Sequence, residues 1–371
     1  MARTGIANLP LHYGKAPAWL FGRMRKLARA IILIMAEEEG PEEILRRLSD
    51  PFWFQAFGCV LGFDWHSSGL TTTVCGALKA GLKGTERDTG LYICGGKGAV
   101  SRKTPDEIRL HCSKLRPDGE ELVYASRLSA KVDNTALQDG YQIYHHSFLF
   151  TDSGSWSVIQ QGMNEETGYA RRYHWLEEGM ESFVSEPHRA ICCDRRGETL
   201  NLTARESTAS RDGIVNITRL TPIETIKELK EITRLDLPPR HHILPRDLIS
   251  NRMIKLVRKI EEERPDSFES ALLVRGLGPK SMRALNLLSE LIYGTRAATL
   301  DPARYSFAHG GKDGIPYPVD REVYDRSITL LEEMLNKSKV DYYEKRRAFA
   351  RLSSHEDTYL NHEGHEGWEE K

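Results

Sequence analysis

The chain lacks a surplus of charge. Its 371 residues carry 52 Lys and Arg against 53 Asp and Glu, a net charge of −1, which excludes a histone-like binder working through a global basic field and leaves nucleic-acid contact to a local patch. It also lacks any C-x-x-C pair. The six cysteines, Cys59, Cys75, Cys94, Cys112, Cys192 and Cys193, are scattered, so no zinc signature is present and a reduced, cytoplasmic protein is expected. Neighbouring Cys192 and Cys193 read as alternating strand positions with one thiol buried. No long apolar run exists: the richest, residues 27–36, contains Arg29 and is half the length of a membrane-crossing helix. The N-terminus has no signal pattern, since Arg3 is followed by Thr4, Gly5 and a Pro-containing stretch. Gly95-Gly96-Lys97-Gly98 lacks the spacing and the Lys-Ser/Thr ending of a phosphate-binding P-loop, and reads as a turn after a short strand.

What is present is a globular composition, 40% apolar, with enough length for two or three domains. The spacing that implies specific chemistry lies in residues 267–294, SFESALLVRGLGPKSMRALNLLSELIYG. Asp266 and Glu269 stand at capping-box spacing before a first helix bearing Ala271, Leu272 and Leu273. Gly276 and Gly278 interrupt it, and a second helix begins at Pro279 or Ser281. Ala284, Leu287, Leu288 and Leu291 form its apolar stripe, and Gly294 stops it. Glycines without Cβ let backbone approach a phosphate, and the free N–H groups and positive dipole end of a helix N-terminus favour an anion. Leu277 is expected to plug the gap between the helices. Arg275, Lys280 and Arg283 add charge toward the same phosphates, a contact that positions DNA without reading its sequence. The plainer alternative is a helical hairpin whose glycines only make a tight turn.

A second informative stretch is 139–175. Tyr141, Ile143, Phe148, Phe150, Trp156 and Val158 give strand patterns either side of Thr151-Asp152-Ser153-Gly154-Ser155, which predicts a hairpin. Its polar load is unusual: His145, His146, Gln160, Gln161, Arg171, Arg172 and His174, interleaved with Tyr141, Tyr144, Tyr173 and Trp175. Such a face can bind a nucleic-acid backbone or stack bases. His145, His146 and His174 are candidate catalytic groups, and His145, His174 and Asp152 can serve as ligands for a divalent metal, although nothing fixes their mutual distances. A mixed sheet whose polar residues pair with one another is the plain alternative.

The expected fold class is α+β. A mixed helical and β-sheet domain spans 1–235, a mainly helical domain carrying the hairpin spans 236–350, and an acidic, His-containing tail over 351–371 is expected to be disordered. Helices are predicted from Pro17 to about Glu38, from Pro41, over 104–115 and 119–137, and from Pro222 to about Ile232. Residues 52–57 form a core-filling aromatic cluster, 186–220 read as loop-rich, and the Pro-rich segment 236–247 reads as the domain boundary. Asp64, His66 and Ser67 sit in a hydroxyl-rich loop that caps the next helix. Residues 307–318 form a specialised Gly/Pro loop ahead of a helix with Tyr324, Ile328, Leu331 and Leu335 on one face.

The stretch 267–294 resembles the helix-hairpin-helix motif of DNA-repair and recombination proteins. Together with the segments FAHGGKDGIPYPVD, WSVIQQGM and ARRYHW, it makes most of the chain, to about residue 345, look like the prokaryotic family known as domain of unknown function 763. That resemblance implies DNA association and leaves the chemistry open. A second resemblance is to the helix-hairpin-helix DNA glycosylases. Lys280 occupies the place of their hairpin lysine, and Asp320 in Pro318-Val319-Asp320-Arg321-Glu322-Val323 the place of their aspartate, at a longer spacing than in that family. It implies a Schiff-base reaction at a sugar carbon, with Asp301 and Asp313 as rival carboxylates. Three functions therefore stand: a DNA repair or processing factor with nuclease activity possible, a lysine-dependent glycosylase or lyase, and a non-enzymatic DNA-binding scaffold. Oligomeric state is not legible.

Overall fold

The computed structural model describes residues 16–63, 69–115, 117–193, 196–234, 248–303 and part of 329–348. The chain begins with helix α1, Ala18–Glu38, which buries Met24, Leu27, Ala28, Ile31, Ile32 and Met35 at three- and four-residue spacing. Gly40, at φ 86°, turns the chain into α2, Pro41–Ser49. Asp50 Oδ1 then accepts from Phe52 N and Trp53 N, each at 2.8 Å, capping α3, Pro51–Leu61. Trp53, Phe54 and Phe57 are fully buried, so the aromatic cluster fills a core as expected. Helix α4, Gly69–Leu82, and the single turn α5, Glu86–Thr89, complete this helical layer.

The layer covers one face of a five-stranded antiparallel sheet, in the order β1 (Leu91–Lys97), β3 (Gln142–Thr151), β4 (Trp156–Asn164), β5 (Tyr169–Leu176) and β6 (Ala190–Cys192). Alternation along the strands assigns the faces. Leu91, Ile93, Leu149, Ile159 and Leu176 pack with α1 to α4. Tyr92, Cys94, Phe148, Phe150, Val158, Tyr173 and Trp175 belong to the other core. On that second face lie α6 (Thr104–Cys112) and α7 (Gly119–Lys131). A wide helical turn over Val132–Ala136 follows α7, and β2 (Leu137–Gln138) pairs with β7 (Leu200–Asn201). Thr104 is the first residue of α6, after a tight turn over Gly98–Lys103.

The same core continues into the C-terminal helices α8 (Thr208–Thr218), α9 (Pro222–Ile232), α10 (Asn251–Glu263), α11 (Phe268–Leu273) and α12 (Pro279–Tyr293). Helix α8 corrects the loop-rich expectation for 186–220. Gly213, in its middle, suggests a loop, yet a Cβ there would meet Ser289 Oγ of α12 at 1.9 Å, so the glycine permits close helix packing. The expected boundary at 236–247, the Gly/Pro loop 307–318 and the tail 351–371 lie outside the described residues. Leu331 and Leu335 are buried against the α1 to α4 layer, in keeping with the face assigned to them.

Candidate functional site

The hairpin starts from a different cap than the sequence suggested. Ser267, not Asp266, is the N-cap of α11: its Oγ accepts from Ser270 N at 3.2 Å, and Ser270 Oγ accepts from Ser267 N at 3.0 Å. Glu269 turns away and accepts from the Tyr124 hydroxyl at 3.1 Å. Val274 ends α11, and Gly276 takes φ 103°, a left-handed value that favours glycine. Leu277 is buried in the core below the turn, in the expected plugging position. Gly278 is the N-cap of the fifteen-residue α12, and no side chain among the described residues caps that terminus. A Cβ on Gly278 would meet nothing within 4 Å. Arg275, Gly276, Pro279 and Lys280 are exposed around it, while Ser281 is buried. Gly294, left-handed at φ 69°, stops α12.

Contacts from the sheet side, absent from the sequence reading, hold this turn. Lys131 Nζ donates to Leu277 O at 2.7 Å, and burial lowers its pKa. Gln138 Nε2 donates to Pro279 O at 2.9 Å. Gln138 Oε1 accepts from Arg283 Nε at 2.8 Å. Arg283 is therefore half-buried and braces the turn through Gln138, with burial lowering its pKa. Asp320 and Asp313 lie outside the described residues. Asp301 is buried elsewhere, in a clamp on β5.

The polar residues of 139–175 are not a surface. His145, His146, Gln160, Gln161, Arg171, Arg172 and His174 are each at most 6% exposed, because helices cover both faces of the sheet. The expectation that Gln160, Gln161, Arg171 and Arg172 form an exposed DNA-contacting face is corrected accordingly. On the α7 side, His146 bridges Ser126 Oγ (2.9 Å, at Nε2) and Gln160 Oε1 (2.9 Å, at Nδ1). Gln160 Nε2 donates to Asp133 Oδ2 at 2.6 Å. Asp133 also accepts from Trp175 Nε1 at 2.9 Å and pairs with His188 Nε2 at 2.5 Å. The amide orientation fixes the proton of His146 on Nδ1, leaving Nε2 to accept from Ser126. The wide turn after α7 is what drops Asp133 into this position.

Nearby, Arg171 joins two buried carboxylates. Its NH1 donates to Asp139 Oδ2 at 2.8 Å and its NH2 to Asp301 Oδ2 at 2.7 Å, over the Tyr141 ring at 4.4 Å. The Tyr173 hydroxyl donates to Asp139 at 2.7 Å. Burial raises the pKa of Asp139 against the attraction of Arg171. Tyr141 OH lies 3.2 Å from Cys193 Sγ, and both Cys192 and Cys193 are buried, not one alone. On the α1 to α4 side, Arg172 NH1 donates to Gln55 Oε1 at 3.0 Å, and the guanidinium lies 4.8 Å over the Phe54 ring. Burial lowers the pKa of His145 to about 3, that of His146 less far, and that of His174 well below its ordinary value with Arg172 adding to the effect. All three are neutral at pH 7. Asp152 sits exposed at the hairpin turn, and no cluster of three His, Cys, Asp or Glu among the described residues is placed to hold a metal ion.

A family model described as "Protein of unknown function (DUF763)" matches residues 5–319, and the chain belongs to that family. No curated protein and no solved structure matches it. No helix among the described residues is long and apolar enough to cross a membrane.

Proposed function

We propose that the protein binds DNA through its phosphate backbone at the turn between α11 and α12, as a repair or DNA-processing factor using a helix-hairpin-helix grip. The observation that carries this reading is the uncapped, solvent-facing N-terminus of α12, with open space over Gly278 and Arg275 and Lys280 exposed on either side. A helix of that length presents unsatisfied N–H donors and a partial positive charge to an anion. Leu277, buried beneath, holds the turn outward. Such contacts are independent of base sequence.

Lys280 belongs to this reading as a phosphate contact. A Schiff-base lysine needs burial or a neighbouring cation to become nucleophilic at neutral pH, and Lys280 is exposed. The test is binding to single-stranded, duplex and branched DNA at two salt concentrations. Affinity that falls with salt, and falls again when Arg275 and Lys280 are both replaced by alanine, supports the grip. Equal binding by the double variant refutes it.

A further inference from the structure

A second glycine turn carries exposed cations. Lys97 closes β1, and the tight turn over Gly98–Lys103 follows it with Arg102 and Lys103. All three cations are exposed, as are Gly98 and Val100. Gly98 takes φ 61°, and a Cβ on it would meet nothing within 4 Å, so backbone can come against a phosphate there as at Gly278. The turn holds its own shape: Ser101 Oγ donates to Gly98 O at 2.6 Å and Thr104 Oγ1 to Ser101 O at 2.7 Å.

The charge of this turn stands uncompensated. Residues 97–103 include no Asp or Glu, and among the described residues no carboxylate pairs with Lys97, Arg102 or Lys103. The two acids that open α6 are engaged elsewhere. Glu107 Oε2 accepts from Gly95 N at 2.7 Å and from Lys79 Nζ at 2.6 Å, and Asp106 pairs with Arg109 at 3.4 Å. The Lys97 ammonium lies 5.7 Å over the half-buried Tyr144 ring, which steadies it without neutralising it.

The fold sets this turn beside the hairpin. Helices α6 and α7 are consecutive and packed together. The end of one meets the start of the other, since Arg109 Nε donates to Glu120 Oε1 at 2.6 Å and a Cβ on Gly119 would lie 3.1 Å from Cys112 Cβ. The pair therefore runs antiparallel, with the start of α6 beside the end of α7. His146 joins them: a Cβ on Gly95 would meet both Thr104 Oγ1 and His146 O, and the His146 ring bonds Ser126 of α7. At 1.5 Å of rise per residue and about 8–10 Å between packed helices, the backbones of Thr104 and Lys131 stand about 12 Å apart. Lys103 precedes the first, and the second holds Leu277 O of the hairpin at 2.7 Å. That separation is on the scale of the DNA major groove, about 12 Å wide, whose borders are the phosphate backbones of opposite strands.

We propose that the turn at residues 97–103 is a second phosphate contact, which with the hairpin spans one groove and makes duplex DNA the preferred ligand. It rests on the proposed hairpin grip for the first strand, and Lys97, Arg102 and Lys103 hold the second without reading bases.

The test is binding of the full chain to a random-sequence duplex and to its separate strands across a salt series. The variant Lys97→Met/Arg102→Met/Lys103→Met should bind duplex with a log–log salt slope shallower by about 1.8 to 2.7, as two or three phosphate contacts are lost. Its affinity for single strands should stay within about twofold of wild type, since one strand follows the hairpin alone. The three side chains are exposed, so the fold is kept, and Lys97→Arg/Lys103→Arg should bind like wild type. Lys114→Met, exposed at the far end of the α6 and α7 pair, should keep the wild-type slope. An equal loss in Lys114→Met, an equal loss on single strands, or no wild-type binding overturns the assignment. An unchanged slope in the triple variant, with loss in Arg275→Ala/Lys280→Ala, overturns it and leaves the hairpin grip standing. Loss in the triple variant with none in the hairpin variant refutes the grip and keeps this turn as a DNA contact.

Discussion

Gly278→Asp sets stability and binding against each other. Gly278 lies at φ −130° and ψ −177°, extended backbone that any residue adopts, and the space over it is open. Aspartate is a better N-cap than glycine by a few tenths of a kcal/mol. A carboxylate at a helix N-terminus gains about 0.3–1 kcal/mol from the dipole. The variant should therefore unfold at equal or higher urea than wild type. The same carboxylate occupies the place proposed for a phosphate. At about 6 Å the repulsion is about 0.7 kcal/mol in bulk water and about 3 kcal/mol at an effective dielectric of 20, a loss of about 3-fold to about 100-fold in DNA affinity. Gly278→Ala adds bulk without charge and should stay within about twofold of wild type by the same reasoning. Wild-type binding should show a log–log salt slope of at least about −1.8 on duplex DNA if Arg275 and Lys280 each neutralise one phosphate, about a 12-fold fall between 50 and 200 mM salt. Fluorescence anisotropy with labelled DNA, run beside urea unfolding, reads both. A folded Gly278→Asp protein that binds like wild type would falsify the phosphate grip.

Lys131→Met should leave Leu277 O unpaired below the turn, cost about 1–3 kcal/mol in urea unfolding and weaken DNA binding as the turn loosens; unchanged affinity would show that the brace is irrelevant to function. Gly213→Ala should destabilise by about 1–3 kcal/mol through overlap with Ser289, and a second change, Ser289→Gly, should recover part of it; a lack of coupling in the double-mutant cycle would mean that α8 and α12 do not meet there. Arg171→Met should cost about 3–5 kcal/mol, because Asp139 and Asp301 would be left buried without their shared cation; thermal denaturation reads this directly. The buried histidines give a pH dependence whose sign is fixed. His145, His146 and His174 have folded pKa values below the unfolded value, so the unfolded chain binds more protons as pH falls below about 6.5. Stability should be complete above that pH and fall toward pH 3 to 4, by up to about 1.4 kcal/mol per pH unit for each histidine; urea midpoints that match at pH 7 and pH 5 would contradict their burial.

The helices and the hairpin strands were legible because their signals are local. Gly40-Pro41, Thr221-Pro222 and the pair Gly278-Pro279 each announce a helix start, and the apolar residues Ile143, Phe148 and Phe150 before, and Trp156 and Val158 after, the turn at 151–155 announce a hairpin. The polar residues among them misled on exposure. Period two separates two faces but does not say that one is wet, and here helices cover both, so His145, Gln161 and Arg172 point into a core. Helix α8 was hidden by Gly213, whose reason is a neighbour 76 positions away. The braces of the turn were illegible for the same cause: Lys131 and Leu277 are 146 residues apart, and Gln138 and Pro279 are 141 apart. Asp133 carried no signal, since the wide turn that aims it follows from tertiary packing.

These long-range contacts bear on how a phosphate grip could be specific in shape without reading bases. Lys131 ends α7, and Gln138 lies in the short strand β2 that follows. Both hold carbonyls of the turn, those of Leu277 and Pro279, below the start of α12, where Gly278 and Pro279 lead into the helix without a side-chain cap. The carbonyls that would repel an anion are thus occupied by Lys131 and Gln138. Past α12 the chain is clamped again, as Asp301 accepts from Arg171 of β5 and from the backbone N–H groups of Gly197 and Ala303. The turn is therefore held from the sheet side at its base, and the chain leaving α12 is held at Asp301. A turn so braced would lose little conformational freedom in the proposed contact with DNA, which would lower the cost of that binding without adding a contact.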